Sequence, residues 1–138
     1  MEQAGASTNP IPCDEPYEFW DDEKKHGRGI LSLKHAGVLA GLGTIGKNTL
    51  LINKKFGNMI WIGSVLTAED LKPDPLADYQ GCLEDCTLCL DACPCEALDG
   101  TTIVQKSCRE TSFSWSPGGG MMYECNGCRI ICPHCTGF

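Results

Sequence analysis

The sequence predicts an α+β chain: a small helix-plus-hairpin portion, then a cysteine-rich module with little regular structure. Three observations carry this. Leu31, His35, Val38 and Leu39 fall at helical spacing within residues 30–40. Two apolar runs, Leu50-Leu51-Ile52 and Met59-Ile60-Trp61-Ile62, flank a Gly57-Asn58 turn and read as a β-hairpin. Nine of the eleven cysteines lie between residues 82 and 132, most with only two or three residues between neighbours. At 138 residues the chain is one domain, or one domain with an appendage.

The elements follow in order. Residues 1–29 form a polar N-terminal arm rich in Pro, Gly and charge. Within it Asp21-Asp22-Glu23-Lys24-Lys25 reads as a solvated turn or helix start, and Tyr17, Phe19 and Trp20 as side chains that pin the arm to a core. Residues 30–75 carry the helix, a glycine loop and the hairpin. The helix stops at Gly41, a residue type that ends helices. Val65-Leu66-Thr67 extends the second strand of the hairpin, and Lys72-Pro73-Asp74-Pro75 is a linker. Residues 76–138 form the cysteine module, with a short helix near residues 96–98 and a loop at Ser116-Pro117-Gly118-Gly119-Gly120.

The cysteine spacing carries the chemistry. The first run is Cys82-x3-Cys86-x2-Cys89-x3-Cys93-Pro94. The second is Cys125-x2-Cys128-x3-Cys132-Pro133, with Cys108 upstream. A short loop can wrap three corners of a cubane, and the fourth thiolate must come from elsewhere. In two-cluster ferredoxins the Cys before Pro ligates the other cluster. Two Cys-Pro endings therefore predict a ferredoxin-like module with two [4Fe–4S] clusters in reciprocal exchange. Cys82, Cys86, Cys89 and Cys132 would hold one cluster; Cys108, Cys125, Cys128 and Cys93 would hold the other. Cys135 is an alternative to Cys132, while Cys95 reads as a bystander and Cys13 as a free surface thiol. Zinc favours two separated Cys pairs round one ion, which suits Cys125-x2-Cys128 but not a run of four. Disulfides fit poorly with an odd cysteine count and with a start, Met1-Glu2-Gln3-Ala4-Gly5, that lacks the marks of a signal peptide.

Charge narrows the partners. The net charge of −7 argues against direct nucleic-acid binding by this chain alone, which needs a basic patch. No apolar run is long enough to cross a bilayer. Residues 76–138 hold eight Asp or Glu against three Lys or Arg. A cubane with four thiolates adds about −2, so a docking partner should present Lys or Arg.

Gly41-Leu42-Gly43-Thr44-Ile45-Gly46-Lys47 has the G-x-G-x-x-G spacing. A dinucleotide fingerprint follows a strand and opens a helix; here a helical pattern precedes and a strand-like run follows. A P-loop needs Ser or Thr after the Lys, and Asn48 stands there. Both nucleotide readings fail. Two remain: tight helix-to-strand packing, or close backbone approach to a cofactor. His35 likewise reads either as a core histidine or as a residue facing such a cofactor.

Leu33-Lys34-His35-Ala36, the run Ala40 to Ile52, Gly63-Ser64-Val65-Leu66-Thr67, Pro73-Asp74 and the two Cys-Pro motifs together resemble the epoxyqueuosine reductase family over residues 26–138. Reductive dehalogenases are similar in this half. The resemblance implies a cytoplasmic protein with two [4Fe–4S] clusters and a neighbouring corrinoid (cobalamin) whose reduced cobalt removes an epoxide oxygen from a modified tRNA base. It also implies that His35, Gly41, Leu42, Gly43, Thr44, Ile45, Gly46, Lys47 and Asn48 contact the corrinoid. The chain departs from the family in three ways. It is about half the family's length, which leaves three readings: a fragment, a divergent short form, or one half of a split pair completed by a separate N-terminal half or partner chain. The family's acidic proton donor would fall near Gly27, where His26 is the nearest titratable group. The first cysteine run has three residues between Cys82 and Cys86, where the tRNA-modifying members have two. The function expected is therefore that of an iron–sulfur redox protein, part of a corrinoid-dependent reductase fed by a ferredoxin- or flavodoxin-type donor. The alternative is a ferredoxin-like carrier with no catalysis of its own.

Overall fold

The computed structural model describes residues 5, 7–13 and 17–138. Among them the strands are short and pair two by two, so the molecule is a small mixed α/β assembly without a continuous sheet. Strand β1 (Thr8–Ile11) lies antiparallel to β6 (Ser64–Thr67), with Asn9 opposite Leu66. The arm then forms a hairpin from β2 (Phe19–Asp21) and β3 (His26–Arg28). Its tip is the predicted acidic turn: the Asp21 carboxylate accepts from the Lys24 N–H at 2.9 Å, and Lys25 reaches Asp22 at 2.7 Å.

Helix α1 (Leu33–Leu39) sits where the apolar spacing predicts it. It ends in a Schellman motif. Gly41 N–H donates to Val38 O at 3.0 Å and Leu42 N–H to Gly37 O at 2.9 Å, with Gly41 at φ +75°. A Cβ at Gly41 would also collide with the Pro75 carbonyl, so glycine is required twice over.

The predicted hairpin of Leu50–Ile52 with Met59–Ile62 does not form. Strand β5 (Leu51–Ile52) instead pairs backwards with β4 (Thr44–Ile45), inside the glycine loop. The turn at 53–57 is closed by a single Asn53–Gly57 bridge, and the Asn53 side chain accepts from the N–H groups of Lys55 and Phe56. Beyond it Asn58 and Met59 donate to Cys135 O, at 3.1 and 3.3 Å. The chain is thereby drawn to the C-terminal segment and cannot return along β5. Val65–Thr67 is a strand, but its partner is β1 and not β5.

The cysteine module contains α2 (Leu88–Asp91), α3 (Gln105–Ser112), the hairpin β7 (Phe113–Trp115) with β8 (Met121–Tyr123), and α4 (Gly127–Ile130). The expected loop at residues 116–120 is the tip of that hairpin. The expected helix at residues 96–98 is absent: Glu96 has φ +49°, outside the helical region, and Leu98 instead bridges to Ile103.

Helix α3 holds the arm. The Gln105 amide bonds both backbone groups of Gly27, at 3.0 and 3.1 Å. The Arg109 guanidinium lies over the rings of Tyr17, Trp20 and Phe113, 5.0 to 5.6 Å from their centroids. The buried apolar core is small: Leu51, Ile52, Cys89 and Ala97. Among the described residues no helix is long and apolar enough to cross a membrane.

Candidate functional site

The site is built where three segments meet. Gly81 opens the first cysteine run. Its N–H donates to Thr44 Oγ1 at 3.1 Å, and its carbonyl meets His134 Nδ1 at 2.8 Å. A Cβ at Gly81 would stand 2.5 Å from Thr44 Oγ1, so only glycine lets the run lie against β4. Cys89 is carried by α2, and Cys132 follows the end of α4, its N–H bonded to Arg129 O at 3.3 Å.

A single cavity is lined by Cys82, Cys86, Cys89 and Cys132, with Lys47, Asn48 and His134 on its wall. The electrostatics follow the same grouping. The Cys89 thiol is pushed up first by burial, then by Cys82, Cys86 and Cys132. Burial also pushes Cys132 up, with Cys82 and Cys86 adding to it. Burial pushes Cys128 up, with Cys108, Cys125 and, least, Cys89 adding to it, so a second group of thiols lies beside the first. Cys93 meets Cys95 at 3.9 Å between sulfurs and receives the Ala97 N–H at 3.3 Å. Burial opposes its ionisation, but the N–H groups of Ala97 and Cys95 outweigh it and draw the thiol down. Gly127, at the start of α4, comes against the Ala92 carbonyl, next in the chain to Cys93. Cys13 is exposed.

Among the described residues no three Cys, His, Asp or Glu are gathered closely enough to hold a single ion. Sulfurs round one zinc stand roughly 4 Å apart, given Zn–S bonds of about 2.3 Å. Four thiols spread over the walls of one cavity fit a larger inorganic core. Three come from one run and the fourth from the Cys-Pro ending of the other, which is the donor set of a [4Fe–4S] cluster.

A second, larger cavity of about 610 Å³ lies between the arm, α1 and the Met59–Ile62 segment. Its walls are apolar at Leu31, Leu33, Leu51, Ile60 and Ile62, and aromatic at Tyr17, Trp61 and Tyr123. Its polar groups are Glu18, Lys34, Asn58, Asn126 and Arg129. The Lys34 ammonium is held below the ordinary lysine range by burial and by Arg129. Asn58 is 1% exposed. Its amide N–H donates to Arg129 O at 3.3 Å and its backbone carbonyl accepts from the Arg129 guanidinium, while its side-chain oxygen is buried with no partner. An unpaired buried acceptor is costly and marks a place for a donor. A corrinoid fits that demand, because its periphery carries primary amides and its ring face is apolar.

Sequence reasoning missed this cavity. Lys34, Asn58 and Arg129 come from three distant segments, and only the tertiary fold joins them. The residues expected to contact a corrinoid are not on the cavity's walls. None of His35 and Gly41 to Asn48 lines the larger cavity. His35 is exposed and bonds Ser32 Oγ at 2.7 Å, so it is not a core histidine either. Leu42 is exposed, Gly43 packs on the Ile52 carbonyl, Thr44 and Ile45 form β4, and Gly46 packs on Ile52. The packing reading accounts for the glycines. Near Gly27 an acid has no room: a Cβ there would stand 2.6 Å from the Tyr17 ring.

These features define a class: a small α/β module built round two groups of thiols, with a ligand-sized cavity beside them. No family model matches the chain. It is 33% identical over 116 residues to the epoxyqueuosine reductase of Staphylococcus aureus, covering 76% of this chain and 30% of that protein. It is 35% identical over 111 residues to that of Lactococcus garvieae, covering 71% and 30%. The structure of epoxyqueuosine reductase from Streptococcus thermophilus superposes with a TM-score of 0.67 at 25% identity, over 96% of this chain and 34% of that one. A further epoxyqueuosine reductase structure, holding an epoxyqueuosine-modified tRNA stem loop, gives 0.66 at 22% identity, over 97% and 35%. The chain belongs to the epoxyqueuosine reductase-like family. It spans about a third of the length of the relatives it matches, which corrects the expectation of a half.

Proposed function

We propose that this chain is the cluster-bearing part of a corrinoid-dependent reductase, with Cys82, Cys86, Cys89 and Cys132 on one [4Fe–4S] cluster and Cys108, Cys125, Cys128 and Cys93 on the other. The observation that carries the reading is the cavity that joins three thiols of the first run to Cys132 of the second. When bound, the clusters would supply single electrons and the corrinoid a strongly reducing metal centre. The chain's own residues set the conditions. Asn58 offers an acceptor to a peripheral amide of the corrinoid. Leu31, Leu33, Ile60 and Ile62 exclude water from its face. Lys34 and Arg129 place positive charge where an anionic substituent or developing negative charge is favoured. A simple carrier would leave the cavity, its half-buried cations and the orphaned oxygen of Asn58 without a use.

The substrate is one that accepts electrons at carbon, as an epoxide does. The relatives' name specifies epoxyqueuosine. In this chain Gly27 stands where the family's acid would be, so the proton donor differs. A ferredoxin- or flavodoxin-type protein with a basic face is the electron donor, and further chain or a partner completes the pocket.

Titration of the anaerobically reconstituted protein with cob(II)alamin tests this. We expect a shift in the cob(II)alamin electron paramagnetic resonance (EPR) spectrum at protein concentrations of about 10 μM to 1 mM, equivalent to roughly 4–7 kcal/mol. Asn58→Leu and Lys34→Met should each weaken the effect about tenfold. An unchanged cobalamin spectrum at millimolar protein, with both clusters assembled, would instead make the chain a carrier.

A further inference from the structure

The glycine loop has a use that neither a nucleotide nor a corrinoid explains. Strands β4 and β5 form a hairpin whose tip, residues 46–50, enters the seam between the two cysteine runs. The tip is tightly wound: Gly46 N–H donates to Leu50 O at 2.9 Å, Thr49 N–H to Gly46 O at 2.8 Å, and Thr49 has φ +60°. A Cβ at Gly46 would stand 2.7 Å from the Ile52 side chain, so glycine lets the turn pack tightly against β5. Two side chains leave this tip in different directions. Lys47 Nζ donates to Cys86 O at 3.0 Å and also to Glu84 O, both in the loop of the first run. Asn48, 3% exposed, donates through Nδ2 to Cys128 O at 3.0 Å, in the second run. Its Oδ1 accepts from the Leu50 N–H at 3.2 Å, which locks the amide orientation. Both residues also line the cavity of Cys82, Cys86, Cys89 and Cys132.

We propose that Lys47 and Asn48 are positioning residues for the two clusters: Lys47 holds the first cysteine loop with its ammonium beside the first cluster, and Asn48 ties the second run to the same turn. The inference rests on the two-cluster reading. The electrostatic consequence belongs to Lys47 alone. A reduced cluster carries one more negative charge than an oxidised one, so a fixed cation close by favours reduction. Outer hydrogen bonds to ligand-bearing loops tune metal sites in the same way.

The test uses the full chain, reconstituted anaerobically with iron and sulfide, as wild type and as Lys47→Met, Lys47→Gln and Lys47→Arg. Iron content is measured first, then the two cluster midpoints by EPR-monitored redox titration. Wild-type protein that takes up fewer than two clusters would sink the underlying cluster reading, whatever the variants do. Given two clusters, Lys47→Met and Lys47→Gln should move one midpoint to lower potential and leave the other in place, and Lys47→Arg should restore it. Unchanged midpoints in both neutral variants would overturn the proposal, as would an equal shift of both clusters. If Lys47→Met does not fold, the Gln variant, which keeps a donor and loses only the charge, gives the same decision.

Discussion

At Gly43 a single hydrogen in place of a side chain decides whether the loop can close. A Cβ there would overlap the Ile52 carbonyl oxygen, which is backbone and cannot swing aside. Gly43→Val should therefore cost about 3 kcal/mol or more, at or above the upper end for overpacking. The expected outcome is a marked fall in Tm with loss of iron binding, since β4 also supplies the hydroxyl that holds Gly81. A stable variant with both clusters would return the loop to a purely surface role. Other residues were equally readable beforehand. Gly41 is legible as a helix stop because a Schellman glycine follows from local chain geometry. The gathering of Cys82, Cys86 and Cys89 on one cavity is legible because the reach of a short loop is a local property. His35 was not, because its ring turned to Ser32 rather than inward.

Elements were legible where their stability is local and illegible where a distant partner decides. Helix α1 has its own apolar stripe and its own cap. The predicted hairpin had a plausible turn, but Gly57 packs against the backbone of His134 and Cys135, and the next two residues bond there. Nothing in the local pattern announces that competition. The same scale governs metal dependence. Helices α2 and α4 have four residues each, far below the length at which a helix is stable alone. Among the described residues only four apolar ones are buried, one of them Cys89. Under the proposed two-cluster reading, metal binding would supply folding energy directly. Removal of iron should leave residues 76–138 largely unfolded, seen as collapsed amide dispersion in that segment. Well-dispersed amides without iron would contradict this.

Over the whole molecule, two surfaces of different character sit side by side. The cysteine module is acidic, while the larger cavity carries two cations, Lys34 and Arg129, against one acid, Glu18. Large apolar side chains also stand in solvent, with Ile30 at 76% and Trp61 at 75% exposed. The larger cavity, which Trp61 lines, was invisible in the sequence because positions 34, 58 and 129 meet only after folding. The approach of Cys132 to the thiols of the first run, by contrast, matches what two Cys-Pro endings lead one to expect. Under the proposed exchange the module is one cooperative unit, since neither run would complete a cluster by itself.

That exchange is the central claim, and iron stoichiometry tests it most directly. The full chain, reconstituted anaerobically, should hold about eight irons and eight sulfides, two cubanes of four each. Cys132→Ala should lose the cluster held by Cys82, Cys86 and Cys89, bringing iron down to about four. Wild type with about four irons, or Cys132→Ala that keeps all eight, would contradict the account.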